Sequence, residues 1–431
     1  MDLLYPISGG DVRFQRVKGT RDILPTEALA RRRLEQLVYS YLNNAGFMPI
    51  YTPTFEYYEL YQRTTGNSSD IVIKEMYRFN DMGGRDLALR PEGTPSIMRA
   101  VIENKIKIPV RLWYMMSMFR QDKPQKGRYR EHTQIGVEII GEAEPEVDAE
   151  LIRLGYDLLT TIGIEKMHLE INTIGCRQCR PHYTEQLKLF LKKHRAGLCD
   201  DCKLRMERNP LRVFDCKVKT CQTILISAPS QRDYLCDECA SHFQGVKKGL
   251  DQFAIPYKEN IRLVRGLDYY SRTVIEFVSA ALGAQSVVCG GGRYDYLMQE
   301  LGGPSVPAVG FAFGVERALL ASQGEQVFVY QQEPIPLLII PLGEASREFV
   351  LDILFEFRKN SIFAVAEFRK GNLSRQLRRA NSRNVSKVLI VGEDEIKSGK
   401  LVLRDMRSGE QKELTLKELI DLLGLKKSNI S

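Results

Sequence analysis

The chain has 431 residues, enough for two or three domains at roughly 100 to 200 residues each, and its 62 basic against 54 acidic residues leave a formal charge of +8. That excess suits a soluble protein that meets a polyanion, but it fits a merely basic cytosolic protein equally well. No apolar run approaches the roughly 18 residues of a membrane span, and Met1-Asp2-Leu3-Leu4-Tyr5-Pro6 is not a positive leader with an apolar core, so the chain reads as cytoplasmic with no membrane partner.

Thr26 can cap a first helix, in which Leu34, Leu37, Val38, Tyr41 and Leu42 recur at helical spacing and after which Gly46 stands where a left-handed cap is wanted. An extended stretch from Pro49 to Pro53 follows. Apolar, β-favouring runs at Ile71-Val72-Ile73, Val110 to Phe119, Ile135 to Ile140, Met167 to Ile171 and Val274 to Val278 predict strands, and the turns between them predict a largely antiparallel sheet. Arg90-Pro91-Glu92-Gly93-Thr94 sets a carboxylate on a turn, suited to an ammonium group or else simply exposed.

Residues 119–130 place five cations in twelve positions around a Pro and a Gly, between two strand-like runs. Arg120, at the end of an apolar strand, can have its fork fixed for bidentate phosphate binding. Lys126, Arg128 and Arg130 on the loop itself can follow a nucleic-acid backbone, or form a solvated basic loop. Gln134 and Glu138 share a face by the two-residue period, next to those cations.

From about Gly175 to about Leu250 cysteine pairs and basic residues crowd together, which reads as an insertion. Cys176 and Cys179, Cys199 and Cys202, Cys216 and Cys221, and Cys236 and Cys239 are close pairs, three of them Cys-x-x-Cys, and could hold one or two structural Zn2+ ions. Reduced, packed thiols are the alternative. Cys289 stands alone and reads as a core thiol.

Arg265, between apolar Leu263-Val264 and the polar, aromatic Leu267-Asp268-Tyr269-Tyr270, can hold a cation inside a pocket. Ala308 to Arg317 runs from a strand into a helix with Arg317 in its first turn, where it adds to the positive dipole end and favours anionic phosphates. After Gln331 to Pro334, strand and helix patterns alternate at Leu337 to Ile340, Phe349 to Phe357, Phe363 to Ala366, Leu373 to Ala380 and Val388 to Val391, predicting a small α/β domain. Arg369, Lys370, Arg375, Arg378, Arg379, Arg383 and Lys387 follow with no acidic residue between them, and Arg375, Arg378 and Arg379 share a helical face.

These segments together resemble class II aminoacyl-tRNA synthetases, and specifically histidyl-tRNA synthetases, across nearly the whole chain. Motif one is similar to the helix after Thr26 with the stretch to Pro53, motif two to Phe119-Arg120 through Glu138, and motif three to Gly310 through Arg317. The histidine-specific peptides are similar to Arg90 through Thr94, Leu263 through Tyr270, and Gly290-Gly291-Gly292-Arg293-Tyr294-Asp295.

The resemblance implies an α+β chain: an antiparallel-sheet catalytic domain with helices over 1–175 and 251–330, a Cys-rich insertion over 176–250, and an anticodon-binding domain over 335–431. It implies a homodimer built on motif one, and a reaction in which L-histidine and ATP, with Mg2+, give histidyl-adenylate that is passed to the 3' end of tRNA(His). Arg120 and Arg265 would be catalytic, and both would bind ATP together with Arg128 and Arg317. Glu92, Thr94 and Gln134 would hold the α-amino group, while Glu138, Tyr270 and Tyr294 would face the imidazole. Lys126, Arg130, Arg375, Arg378 and Arg379 would meet tRNA. In this family the insertion often folds without metal, so zinc stays open. One departure is Asp122, where motif two usually carries Glu, which leaves its adenine or magnesium contact in doubt. Two other classes compete: a non-enzymatic regulatory paralogue that serves ATP phosphoribosyltransferase, expected to lose the signature arginine and the anticodon domain, and a zinc-dependent nucleic-acid-binding protein.

Overall fold

The first helix, Pro25–Asn44, starts two residues earlier than the capping reading, because Pro25 at N1 presets the helical φ while extended Leu24 stands at the N-cap; Thr26 lies within the first turn. Leu34, Val38 and Leu42 are buried along one face. Gly46, at φ 81°, ends the helix, its N–H bonding Asn43 O while Phe47 N–H bonds Leu42 O, the paired bonds of a Schellman cap. The computed structural model describes residues 14–65, 71–123, 127–164, 166–283, 286–324, 335–369 and 371–424. It divides into two compact units, Arg13–Tyr330 and a second that includes Gln331–Ser431.

The larger unit is built on an eight-stranded sheet in the order Met48–Pro49, Val110–Phe119, Glu131–Ile140, Ala308–Gly314, Val287–Arg293, Ser271–Ser279, Met167–Thr173, Tyr257–Glu259. Every inner pairing is antiparallel, and only the two edge strands pair in parallel. The alternation of side chains decides the use of each face. Ile135, Val137, Ile139, Val309, Phe311, Phe313, Ile275 and Phe277 join the main core with Leu151, Leu158 and Leu159 of helix Pro145–Thr161. The opposite face carries Gln134, Glu138, Gly310, Ala312, Gly290 and Glu276, with Glu138 opposite Gly310 and Glu276 opposite Gly290. On this face Leu112, Tyr114 and Met116 belong to a second apolar cluster, and the small and polar positions beside them leave a floor for a cleft.

Ile71-Val72-Ile73, expected as a strand, lies in a π-helical turn, Ile71–Glu75, with Val72 buried beside Leu60, Tyr61 and Met76. A three-residue apolar run has too little period to separate a strand from a buried turn. The neighbouring small antiparallel sheet is instead made by Phe55–Tyr57, Asp86–Leu89 and Arg78–Asn80.

Strand Met167–Thr173 leads into the cysteine-rich segment, whose helices Cys179–Lys193, Asp200–Arg208 and Lys219–Leu225 share a small core around Tyr183, Leu187, Leu191 and Val213. Helix Asp237–Gln252 returns the chain, burying Phe243, Val246 and Leu250 in the main core.

In the second unit a five-stranded sheet runs Val365–Ala366, Ile335–Pro341, Val385–Val391, Leu401–Asp405, Gln411–Leu414, parallel over its first two pairings and antiparallel after. Leu337 and Ile339 pack on one face with helix Ala345–Lys359, and Leu338 and Ile340 on the other with Ala380 of helix Leu373–Ser382. Among the described residues no helix is long and apolar enough to cross a membrane.

Candidate active site

Arg90 fixes the turn that begins the site. Its buried guanidinium donates to Ser117 O at 2.7 Å, Thr52 O at 2.7 Å and Pro53 O at 3.0 Å, tying the turn to the neighbouring strand. Glu92 is thereby directed inward; it is 3% exposed and accepts a hydrogen bond from Tyr269 Oη at 2.8 Å. Thr94 opens helix Thr94–Glu103 and donates to Glu138 Oε1 at 2.7 Å, while the Tyr294 hydroxyl donates to Glu138 Oε2. Tyr114 Oη donates to Gln134 Oε1 at 3.0 Å, orienting that amide.

These side chains surround one cleft of about 160 Å³, lined by Glu92, Thr94, Arg120, Gln134, Glu138, Arg265, Tyr270 and Tyr294, and also by Tyr269. Glycine makes the floor possible. A Cβ at position 310 would lie 1.9 Å from Glu138 Oε2, and one at 290 would lie 2.4 Å from the Arg265 guanidinium. No side chain fits between these groups and the sheet.

Arg265 donates to Glu276 Oε1 at 2.5 Å and lies 5.6 Å from the Tyr270 ring centroid. Burial works against its charge, but Tyr270 and Glu276 outweigh that and hold it as a cation. Its Nε is buried with no hydrogen-bond partner among the described residues, leaving a donor to offer. Arg120 Nε donates to Pro91 O at 2.8 Å, and its side chain lines the same cleft. His132 sits near Arg120; burial, then the Arg120 charge, push its pKa down to about 3, which favours the neutral imidazole.

The other expected phosphate ligands stand apart. Arg317, third residue of helix Val315–Gly324, donates to Val287 O from Nε at 3.1 Å and Nη2 at 2.6 Å, and it is not among the residues lining the cleft. Burial and then the Arg128 charge lower its pKa, so these two cations are close enough to repel. Arg128 is exposed and donates to Asp122 Oδ2 at 3.0 Å. The departure at Asp122 thus has a local use, holding the cationic loop. Arg130 is half-buried, its Nε without a partner among the described residues, and Lys126 lies outside them.

In the second unit Arg375 and Arg378 are exposed on helix Leu373–Ser382, with Arg379 half-buried. The basic run is less uniform than its sequence: Glu367 pairs with Arg369 at 2.7 Å and Arg383 at 3.4 Å, and Asp405 pairs with Lys387 at 2.9 Å.

The eight paired cysteines gather into two groups, Cys176, Cys179, Cys236 and Cys239, and Cys199, Cys202, Cys216 and Cys221, each with its sulfurs within 4.8 Å of one another. The Sγ–Sγ separations are 3.7 Å for Cys176–Cys179, 3.8 Å for Cys176–Cys236 and Cys179–Cys239, and 3.7 Å for Cys199–Cys216. Four thiolates at about 2.3 Å around a tetrahedral ion stand about 3.8 Å apart, so both groups have the shape of a metal site. Burial opposes ionisation of Cys176, but N–H groups of Cys179 and Gln178 and neighbouring thiols outweigh it and hold the thiol below its ordinary pKa. Cys289 is an ordinary core residue.

Three residues of the site escape sequence reasoning. Tyr269 lies within the quoted signature yet its bond to Glu92 depends on a residue far away in the chain. Glu276 interrupts the apolar run Val274 to Val278, a visible signal. Tyr114 reads as one more aromatic in an apolar strand and gives none.

Glu138 is 1% exposed, and burial, reinforced by Glu92 against the bonds from Tyr294 and Thr94, pushes its pKa up to about 8. A carboxyl raised in the folded state stabilises the fold fully below its unfolded pKa and loses that contribution as pH rises through the folded one. Glu138→Gln removes the titration. Its melting midpoint relative to wild type should therefore climb between about pH 5 and pH 8 and level off above, and a pH-independent difference would contradict this.

A family model described as histidyl-tRNA synthetase matches residues 19–179 and 218–318, and one described as an anticodon binding domain matches 337–425. A histidine–tRNA ligase of Aquifex aeolicus is 44% identical over 411 residues, covering 95% of this chain and 100% of its own. One of Caldanaerobacter subterraneus is 42% identical over 405 residues, covering 93% and 97%. The crystal structure of apo S. aureus histidyl-tRNA synthetase superimposes with a TM-score of 0.80 at 30% identity, covering 95% of this chain and 100% of that one.

Proposed function

Since the chain belongs to the histidyl-tRNA synthetase family, we propose that it is a cytoplasmic histidine–tRNA ligase, joining L-histidine to ATP as histidyl-adenylate and then to the 3' end of tRNA(His). The observation that carries the reading is the single cleft in which Glu92, Glu138 and Gln134 meet Arg120 and Arg265. Glu92, with Thr94 and Gln134, holds the α-ammonium group. Glu138, Tyr270 and Tyr294 face the imidazole, and at neutral pH carboxyl and imidazole can share one proton between them. Such a pocket leaves buried polar groups unpaired when a non-polar amino acid enters, which rejects it strongly.

In the reaction the histidine carboxylate attacks the α-phosphorus of ATP, the Pα–O bond to pyrophosphate breaks, and pyrophosphate leaves. Magnesium accompanying ATP neutralises phosphate charge. Arg265 and Arg120 fix the two anions and spread the charge that develops at the α-phosphate. Arg317 and Arg128, adjacent outside the cleft, suit the far phosphates, whose charge relieves their mutual repulsion.

Residues 1–175 and 251–330 form the catalytic domain in this reading, 176–250 the insertion and 335–431 the anticodon-binding domain. Homodimerisation is supported by exposed Leu29, Tyr51, Phe55, Tyr57, Phe79 and Met82 around the first helix and the small sheet. Zn2+ in both cysteine groups is supported by their sulfur spacing. Lys126, Arg130, Arg375, Arg378 and Arg379 meet tRNA. Replacing Arg375, Arg378 and Arg379 by Gln should weaken tRNA binding roughly 10-fold or more and flatten its salt dependence, leaving adenylate formation intact; unchanged affinity would count against this face.

The regulatory-paralogue reading predicts loss of the signature arginine and of the anticodon domain, whereas this chain keeps Arg265 and residues matched as an anticodon-binding domain. Charging of tRNA(His) with labelled histidine by the purified chain tests the proposal. Absence of charged tRNA under conditions that support related ligases would refute it.

A further inference from the structure

The segment Arg265–Tyr270 that lines the cleft has no regular secondary structure, so its shape must be imposed from outside. The insertion supplies contacts at both of its ends. Asn209 Nδ2 donates to Asp268 Oδ1 at 2.7 Å, and Arg212 Nη1 donates to Arg265 O at 3.2 Å. Arg180 Nη2 donates to Tyr270 O, and just beyond, Arg272 N–H bonds Gly175 O at 2.9 Å.

Each of these donors is built onto a cysteine group. Asn209 caps the 3-10 turn Pro210–Asp215, which carries Arg212 and ends at Cys216. Val213 of that turn packs with Cys202, Cys216 and Cys221. Arg212 is held further by Asp215 at 2.7 Å. Arg180 follows Cys179 directly, in the group whose other half, Cys236 and Cys239, opens the helix that returns the chain to the main core. One group thus shapes the turn against the front of the loop, and the other closes the base of the insertion against its end.

We propose that the two cysteine groups, each closed by a tetrahedral metal ion, brace the Arg265–Tyr270 loop through Asn209, Arg212 and Arg180 as positioning residues, so that activation chemistry depends on metal that touches no substrate. The inference rests on the ligase reading for its kinetic consequence only. Its structural content stands by itself, and the test separates the two.

Hydrogen–deuterium exchange on the full chain reads the brace directly. With zinc retained at two ions per chain, Asn209→Ala should speed exchange in peptide 263–272 while strand Glu131–Ile140 stays protected. Wild-type protein stripped of zinc by a chelator should show the same loosening of 263–272. In pyrophosphate exchange, Asn209→Ala should lower kcat about 10- to 100-fold with KM for histidine little changed, because a displaced Arg265 is missed most in the transition state. A merely structural Asn209 would lower the melting midpoint and leave kcat of the folded fraction alone. Wild-type protection of 263–272 in both the zinc-loaded variant and the stripped wild type would overturn the proposal. Intact bracing with no histidine activation by wild type would instead remove the ligase reading and the kinetic consequence with it.

Discussion

Arg265→Ala is expected to lower kcat for histidine-dependent pyrophosphate exchange about 100- to 1,000-fold while KM for histidine moves little, the range seen when one preorganised charge donor is lost. The guanidinium is fixed before substrate arrives: Glu276 holds Nη1 at 2.5 Å, Tyr270 lies beside it, and the bare Cα of Gly290 lets it reach the sheet. A cation fixed in this way needs no reorganisation as charge builds on the phosphate. The histidine contacts proposed for Glu92, Gln134 and Glu138 do not involve the guanidinium and should survive the substitution. A variant with a raised KM and an unchanged kcat would place Arg265 in ground-state binding only. Gly290→Ala should reproduce part of the loss, since the new methyl must displace the guanidinium that stands 2.4 Å from its position.

The second large effect concerns metal. On the proposal that both cysteine groups hold Zn2+, stripping that metal, or replacing Cys221 by Ser, should unfold the 199–221 region while the eight-stranded sheet persists. The insertion has only a small core of its own around Tyr183, Leu187 and Leu191, and segments of that size commonly require a staple. A structural four-thiolate zinc contributes apparent folding free energy of about 10 kcal/mol or more at neutral pH, well beyond what so few apolar contacts replace. Loss of helical circular dichroism and of protease resistance in that segment is the expected reading. A metal-free protein with an unaltered insertion would show that packed thiols suffice.

Much of the catalytic sheet is legible in the sequence because its strands are long. The ten-residue apolar run from Val110 to Phe119 is long enough to mark a strand, and the Gln134–Glu138 spacing is enough to put those two residues on one face. Ile71 to Ile73 is too short to do so, and Thr26 loses the cap because Pro25 begins the helix first. The site was partly legible for a different reason. Residues whose chemistry is local to a motif, such as Arg120, Glu92 and Arg265, can be proposed from their neighbours in the chain. Tyr269 on Glu92, or Arg265 on Glu276 beneath Gly290, are tertiary facts that no spacing encodes. Arg317 illustrates the converse: its place in a helix's first turn is readable, but its distance from the cleft depends on where Val287 lies. The cysteines show both sides, with pairing visible as Cys-x-x-Cys and the assortment of pairs, outer with outer and inner with inner, appearing only in three dimensions.

The most direct test is exchange of labelled pyrophosphate into ATP by the full chain, with each of the twenty amino acids supplied in turn. The cleft described here predicts exchange with histidine and background with all others, with Glu138→Gln losing histidine before ATP. No exchange with any amino acid, or equal exchange with one lacking an imidazole, would contradict it.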